Sequence, residues 1–562
     1  MDSSRAFLAI LISLAILIGY QYLFVGFEQP PADSSTERDL ATQTSTPPSS
    51  PPEKAPAQEA VAPPVIQKQQ ETVHYSREPR QIQIETDLYR ATLSEDGGTL
   101  TSFILKDYKQ THEAESPDMQ LIQTDAKDGF PLRFTWGTLV KGQLLYESDR
   151  QRINLGAGKE KEQLVLTAQT DNGLTVVRTY SFDNTSYLVD LQVKVFNTSG
   201  TLLQGVPELG LVNRRFAVNK SPAGRFLFVG PSAYVNGELN EIDLEDEEGG
   251  RLDLQGAVDW AGYGSNYFLC AIIPAGGDDG KSFTAQGSAD IAYGSLAGSL
   301  DTLESGAEKS YDYHLFFGPK KLKMLKEIGY NLDRSVNFGW FDVIAKPVLW
   351  LLNLFYSFCR NYGIAIILVT VLIKALFWPI SQKGMKSMKN MQKLQPKMVK
   401  IKEKYKDDPT RMNQEVMNLY KTYKVNPLGG CLPMVLQIPV FFALYKVLLL
   451  SIELRHAPFM LWITDLSAPD RLYLGFDIPY LGGLPVLTLL MGASMFLQQK
   501  LTPTTADPTQ AKIMMFLPII FTFMFINFAS GLVLYWFVNN LLSILQQVMI
   551  NRERKTPATA ES

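Results

Sequence analysis

A chain of 562 residues exceeds one ordinary domain, and its net charge of −4 hides two unlike blocks. Residues 28–340 carry 29 Lys+Arg against 44 Asp+Glu, a net of −15, whereas residues 383–424 carry 12 against 4, a net of +8. That asymmetry points to two compartments, and DNA is not expected as a partner. Three scattered cysteines (Cys270, Cys359, Cys431) make no disulfide framework. Four histidines (His74, His112, His314, His456) lie in no ligand-like spacing, so neither a metal nor another cofactor is expected.

Residues 1–27 read as an uncleaved membrane anchor. Arg5 precedes an uncharged run, Ala6 to Phe27, longer than a signal-peptide core and without a small-x-small cleavage site. Arg5 keeps the N-terminus cytoplasmic. Residues 28–78 hold repeated prolines, from Pro30 to Pro64, among Ser, Thr, Gln and Glu. Such a segment buries no core and reads as a disordered linker.

Over residues 79–338 the period becomes two. Val189, Leu191, Val193 and Val195 alternate with Asp190, Gln192 and Lys194. Leu164–Thr170 and Leu174–Phe182 flank Asp171-Asn172-Gly173, a hairpin signal. Further turns fall at Asp96-Gly97-Gly98, Asn236-Gly237 and Gly276-Gly277-Asp278. The pattern predicts one large antiparallel β-sandwich, closed by a short helix over Lys320 to Tyr330.

Residues 339–361 are amphipathic and aromatic, with Trp350 inside, Pro347 interrupting, and Lys346 and Arg360 near the ends. They predict a helix lying in the membrane interface. Residues 362–382 form the next span. Between Tyr362 and Ile380 the only charged group is Lys374. A lysine at mid-span costs about 2.5–3.5 kcal/mol, so something polar must lie beside it. A water-filled cationic site inside the membrane is the expectation. Thr370 shares its helix face at i, i+4. Gln437, Thr522, Tyr535, Asn539, Asn540 and Ser543 are further polar groups within spans. Simple interhelical hydrogen bonding is the alternative for these.

Residues 383–428 show apolar residues at spacings of three and four. Met385, Met388, Met391, Leu394, Met398, Ile401 and Tyr405 lead to Asp407-Asp408-Pro409, then Met412, Val416, Leu419 and Tyr423. Asp408 as N-cap and Pro409 at the first helical position predict a cytoplasmic helical hairpin with a Met-rich seam. Lys383, Lys386 and Lys389, with Met385, Met388 and Met391, form its candidate docking face for a nascent chain or a ribosome. Merely solvated lysines are the alternative.

Spans follow at 429–451, 481–499, 513–527 and 531–550, joined by an outer loop at 452–480 and a cytoplasmic loop at 500–512, with a tail at 551–562. Two of these look short, and Pro485 interrupts one; short spans thin the bilayer locally. Every basic cluster then falls inside, including Lys500, Lys512, Arg552, Arg554 and Lys555. No phosphate-binding glycine loop or Ser/His/Asp set is visible, so no catalytic residue is expected.

Asn426-Pro427-Leu428-Gly429-Gly430-Cys431, with Pro433, Gln437, Pro439 and Ala443-Leu444-Tyr445, resembles the YidC-type membrane protein insertase family. So do Ala457-Pro458-Phe459, Trp462-Ile463, Asp465-Leu466-Ser467 and Ser530-Gly531-Leu532-Val533-Leu534-Tyr535-Trp536. The long outer domain looks like the Gram-negative bacterial form, whose sandwich resembles the galactose-mutarotase fold. The resemblance implies a polytopic α-helical protein of six spans, with a five-helix insertase core and a periplasmic β-sandwich. It implies a groove open to the cytoplasm and lipid, lined by Lys374, Thr370, Gln437, Tyr535 and Trp536. It implies nascent membrane proteins, the Sec translocon, the ribosome and inner-membrane lipids as partners, with both termini cytoplasmic. Many family members have Arg where this chain has Lys374; Lys keeps the charge without the bidentate fork. The sequence leaves two other classes open. Polar residues within spans suit a transporter or channel, and His112 and His314 would have to serve any sugar-processing enzyme in the sandwich.

Overall fold

The computed structural model describes residues 77–552, except 114, 141–143, 157, 216–227, 248–249, 277–279, 289, 424, 426–431, 477, 480 and 502–507. The expected anchor and linker, the Asn426–Cys431 motif and the tail beyond Arg552 lie outside the described residues.

Alternating side chains build the outer domain. Leu188–Asn197 pairs antiparallel with Leu174–Asp183 on one side and Glu308–Pro319 on the other, inside a nine-stranded sheet. Val189, Leu191, Val193 and Val195 all face the core, while Asp190 is exposed. Two five-stranded sheets cover that face. Phe103 of one stacks on Phe317 at 5.2 Å, and Trp136 Nε1 of the other donates to the Tyr311 hydroxyl at 2.8 Å. The Asp171–Gly173 and Asn236–Gly237 turns join paired strands as their sequence predicts. One pair departs from the antiparallel expectation: Gln81–Glu85 runs parallel to Arg152–Asn154. The 66 residues between them supply the crossover that a parallel pair needs.

The sandwich core contains a fully buried cation. Arg178 donates to the carbonyls of Gly97 and Leu132 at 3.0 and 2.7 Å and to the Tyr180 hydroxyl at 2.5 Å. A Cβ at Gly98, where φ is +59°, would stand 2.5 Å from the guanidinium. The Gly97-Gly98 turn therefore serves both the backbone and the buried arginine.

The closing helix α1 spans Leu322–Ile328 and stops at Gly329, with Tyr330 and Asn331 left-handed. Next come α2 (Asp342–Cys359), α3 (Tyr362–Lys404), α4 (Pro409–Thr422), α5 (Leu432–Leu450), α6 (Val486–Leu501), α7 (Pro508–Phe525) and α8 (Ser530–Arg552). Helix α2 buries Ala345, Val348, Leu349 and Leu352 and exposes Trp350 and Phe358. By length and hydropathy it joins α3 and α8 as long enough to cross a membrane, although its sequence reads as interfacial.

Three expected boundaries shift. The 362–382 span and the first arm of the hairpin are one 43-residue helix, about 65 Å long at 1.5 Å per residue. Nothing between Ile380 and Met391 breaks a helix, because leaving lipid does not require leaving helical geometry. Helix α6 begins at Val486, five residues after the expected 481, since Gly482 is left-handed and Pro485 suits a helix start. Helix α7 starts at Pro508 and runs 18 residues, so the span expected at 513–527 is longer and earlier. Among the described apolar helices α6, at 16 residues and about 24 Å, falls furthest short of a roughly 30 Å hydrocarbon layer.

Candidate functional site

The site grows from two helices that run in the same direction. Ile366 lies beside Gly531, Lys374 beside Asn539 and Ser543, Ser381 beside Gln546, and Lys389 beside Ile550, with both numbers rising together. Parallel neighbours in a membrane require an odd number of crossings between them. Three apolar helices, α5, α6 and α7, lie between them in the chain.

Lys374 Nζ donates to Ser543 Oγ at 2.6 Å and Asn539 Oδ1 at 3.3 Å. No carboxylate lies within ion-pair distance among the described residues. Its positive charge is thus oriented by neutral acceptors and is not cancelled. Thr370, Lys374, Gln437 and Tyr535 line one cavity, together with Phe377 and Asn539. The cavity measures about 20 Å³, enough for one water at about 10–15 Å³ each. A helical segment about 10 Å across does not fit it. A larger guest therefore requires the helices to part or to be met from the lipid side, where Leu372, Leu376 and Ile380 are exposed.

Two expected groove residues are structural walls. The Thr370 hydroxyl is spent on the Ile366 carbonyl at 2.6 Å, and the Tyr535 hydroxyl accepts from Gln437 Nε2 at 3.0 Å. Both side chains are 1 % exposed. Trp536 lies outside the cavity lining and packs edge-on against Phe441 at 4.9 Å and beside Phe525 at 5.3 Å. The polar stripe continues through Ser381 and Gln546, which the sequence alone did not single out, while Asn540 makes the interhelical bond open to it as a polar group within a span. Ser381 Oγ donates to Gln546 Oε1 at 3.0 Å, and Asn540 Nδ2 donates to Ser494 Oγ at 3.0 Å. The spacing Asn539, Ser543, Gln546 (i, i+4, i+7) was the legible signal, since it puts three polar groups on one helix face.

The outer end of the site is stitched shut. Asn361 caps α3 by accepting from Ile364 N at 3.1 Å and donates to the Phe459 carbonyl at 2.8 Å. Gly363 admits the Phe459 ring; a Cβ there would stand 1.9 Å from it. Ser530 donates through its hydroxyl to the Asp465 carbonyl and through its N–H to the Ala468 carbonyl. Asp470, 2 % exposed, accepts from Trp462 Nε1 at 2.6 Å and from Thr488 N at 3.0 Å.

At the other end the hairpin forms as its residues predict. Asp408 Oδ1 accepts from Arg411 N at 3.0 Å with Pro409 at the first helical position. Met391, Leu394 and Met398 are buried, while Met385 and Met388 are half-buried. Lys383 and Lys386 are exposed, but Lys389 donates to the Ile550 carbonyl at 3.3 Å and so neutralises the end of α8. Among the described residues no group of His, Cys, Asp and Glu could hold a metal ion.

These features define a polytopic membrane protein with a folded β-domain and an uncancelled cation among its apolar helices, closed at the end nearest that domain. Residues 354–558 match the family of the 60Kd inner membrane protein, and residues 81–351 match the YidC periplasmic domain. A membrane protein insertase YidC of Geotalea daltonii is 39 % identical over 551 residues, covering 98 % of this chain and 99 % of that one. The protein of the same name from Pelobacter propionicus is 41 % identical over 561 residues, again covering 98 % and 99 %. A crystal structure of an active YidC insertase with the first transmembrane domain resolved is 19 % identical, covers 84 % of this chain and 92 % of its own, and has a TM-score of 0.35. The chain belongs to the YidC family of inner-membrane proteins.

Proposed function

We propose that the chain is a membrane protein insertase and folding chaperone, and that Lys374 is the centre of its substrate groove. The carrying observation is the Lys374 ammonium, held by Asn539 and Ser543 and facing no carboxylate among the described residues. A nascent hydrophobic segment docks at the basic hairpin through Lys383, Lys386 and the Met-rich seam. Its short acidic or polar flank enters beside Lys374, and its apolar part passes into lipid. Apolar transfer supplies about 0.8 kcal/mol per CH₂. A membrane potential adds about 2.3 kcal/mol per charge per 100 mV on acidic flanks.

Both termini are cytoplasmic in this reading, the sandwich is periplasmic, and α2 lies along the outer interface. The parallel run of α3 and α8 supports that topology, as does the net +8 between residues 383 and 424. The Sec translocon, the ribosome and inner-membrane lipids are the expected partners.

The test is insertion of a short membrane protein into vesicles reconstituted with Lys374 variants. Lys374→Arg keeps insertion, because the charge persists. Lys374→Ala and Lys374→Glu lower it at least about tenfold, the equivalent of one lost charge-assisted hydrogen bond. Full activity of Lys374→Glu would sink the central-charge mechanism.

A further inference from the structure

A second cavity, of about 70 Å³, lies where the sandwich meets the end of α5. Its lining includes Lys320, Glu241, Asn266, Asn337, Lys446 and Leu450. That volume is several times what one water needs, about 10–15 Å³. Lys320 is 6 % exposed, and among the described residues its Nζ donates only to the Ser335 carbonyl, at 3.2 Å. Two of its three protons are left to point elsewhere. Lys446 has no hydrogen-bond or ion-pair partner among the described residues. Asn337 uses its Oδ1 on Gly339 N, which leaves its amide hydrogens for the cavity.

Burying an ammonium is costly, and burial pulls Lys320 down to about 8 even though the charge of Glu241 on the same cavity favours the ammonium. The donors around the cavity suit a tetrahedral oxyanion. Glu241 is the one acidic residue in the lining, so the site carries two cations and one anion. That arrangement matches a headgroup that is itself a phosphate followed by an ammonium. The location agrees. Lys446 and Leu450 lie one turn apart near the C-terminal end of α5, just before the loop whose Arg455 reaches the sandwich at the Gln110 carbonyl. With the sandwich periplasmic, as in the topology proposed above, this is the depth of the outer headgroup layer.

We propose that this cavity binds the phosphate of an outer-leaflet phospholipid headgroup between Lys320 and Lys446, with Glu241 facing an ammonium on the same headgroup. The lipid would fasten the sandwich to the end of α5.

The full-length protein, delipidated and then incubated with vesicles of equal phosphatidylethanolamine and phosphatidylglycerol, is washed in detergent and weighed intact by mass spectrometry. The wild-type protein retains phosphatidylethanolamine. Lys446→Gln, at a half-buried position where folding can be verified by thermal unfolding, lowers retention about tenfold. Glu241→Gln removes the preference for phosphatidylethanolamine over phosphatidylglycerol. Equal retention in all three proteins overturns the proposal. Binding of inorganic phosphate with no lipid retained overturns the lipid assignment. Insertion by the wild-type protein is a separate readout, so failure here is distinguishable from failure of the insertase reading.

Discussion

A single residue, Lys374, was legible as costly and therefore as a candidate site before any fold was known. Its partners were not. Asn539 and Ser543 lie 165 and 169 positions away, and only folding brings their oxygens to the amine. Burial also changes where probes belong. Thr370 and Tyr535 are 1 % exposed, so a photoreactive group there disturbs a packed wall. Phe377 and Ile380 line the same cavity, and Ile380 is 38 % exposed. A photoreactive group at Ile380 should capture a stalled nascent membrane protein, and one at Trp350 on α2 should not; equal yields would count against the groove. A second residue-scale expectation concerns Gly363. Gly363→Ala must displace the Phe459 ring, since 1.9 Å is far inside contact distance. Overpacking of this kind costs about 1–3 kcal/mol, visible as a lowered unfolding temperature in detergent.

At the scale of elements, hydropathy located the apolar helices but not their ends. Helix α3 continues from lipid into the hairpin because backbone hydrogen bonds are satisfied equally well on both sides of the boundary. Caps were readable where local chemistry sets them. Asp408-Pro409 starts α4, and Gly482 with Pro485 delays α6. Asp408→Ala should cost α4 about 1 kcal/mol. Because α4 buries none of its own residues, that loss should appear as faster proteolysis between residues 409 and 422. Unchanged cleavage would mean that the contacts to α3, such as the Tyr420 hydroxyl on Met398 Sδ, hold α4 without its cap.

At the scale of the whole molecule, the sandwich and the membrane core meet at the end of α5 and through the loop that follows it. Arg455 donates to the Gln110 carbonyl at 2.8 Å and lies over the Tyr267 and Phe268 rings at 5.6 and 5.4 Å. The Lys374 site contains no residue of the sandwich. Deleting residues 80–310 should therefore leave insertion in place, measured in the same vesicles. Burial of Lys320 also gives this junction a pH signature. Its folded value is about 8, below the ordinary 10.5, so the unfolded chain binds more protons between those values. Stability then rises with pH from about 8 to 10.5, and protonation below 8 opposes folding. In lipid-free detergent, Lys320→Met should flatten that rise in the thermal unfolding of the full chain.

Charge blocks, turn residues and hydropathy determined by themselves that this chain pairs an outer β-domain with a bundle of spans and a basic hairpin. Those are local properties: each depends on residues within one turn, one strand or one span. Tertiary structure alone decided which polar groups meet. It set Lys374 between Asn539 and Ser543, turned Thr370 and Tyr535 into walls, spent Lys389 on the end of α8 and closed the outer mouth through Asp470 and Ser530. Side-chain hydrogen bonds reach about 3 Å and join residues far apart in the chain, so their partners depend on how helices pack and in which register.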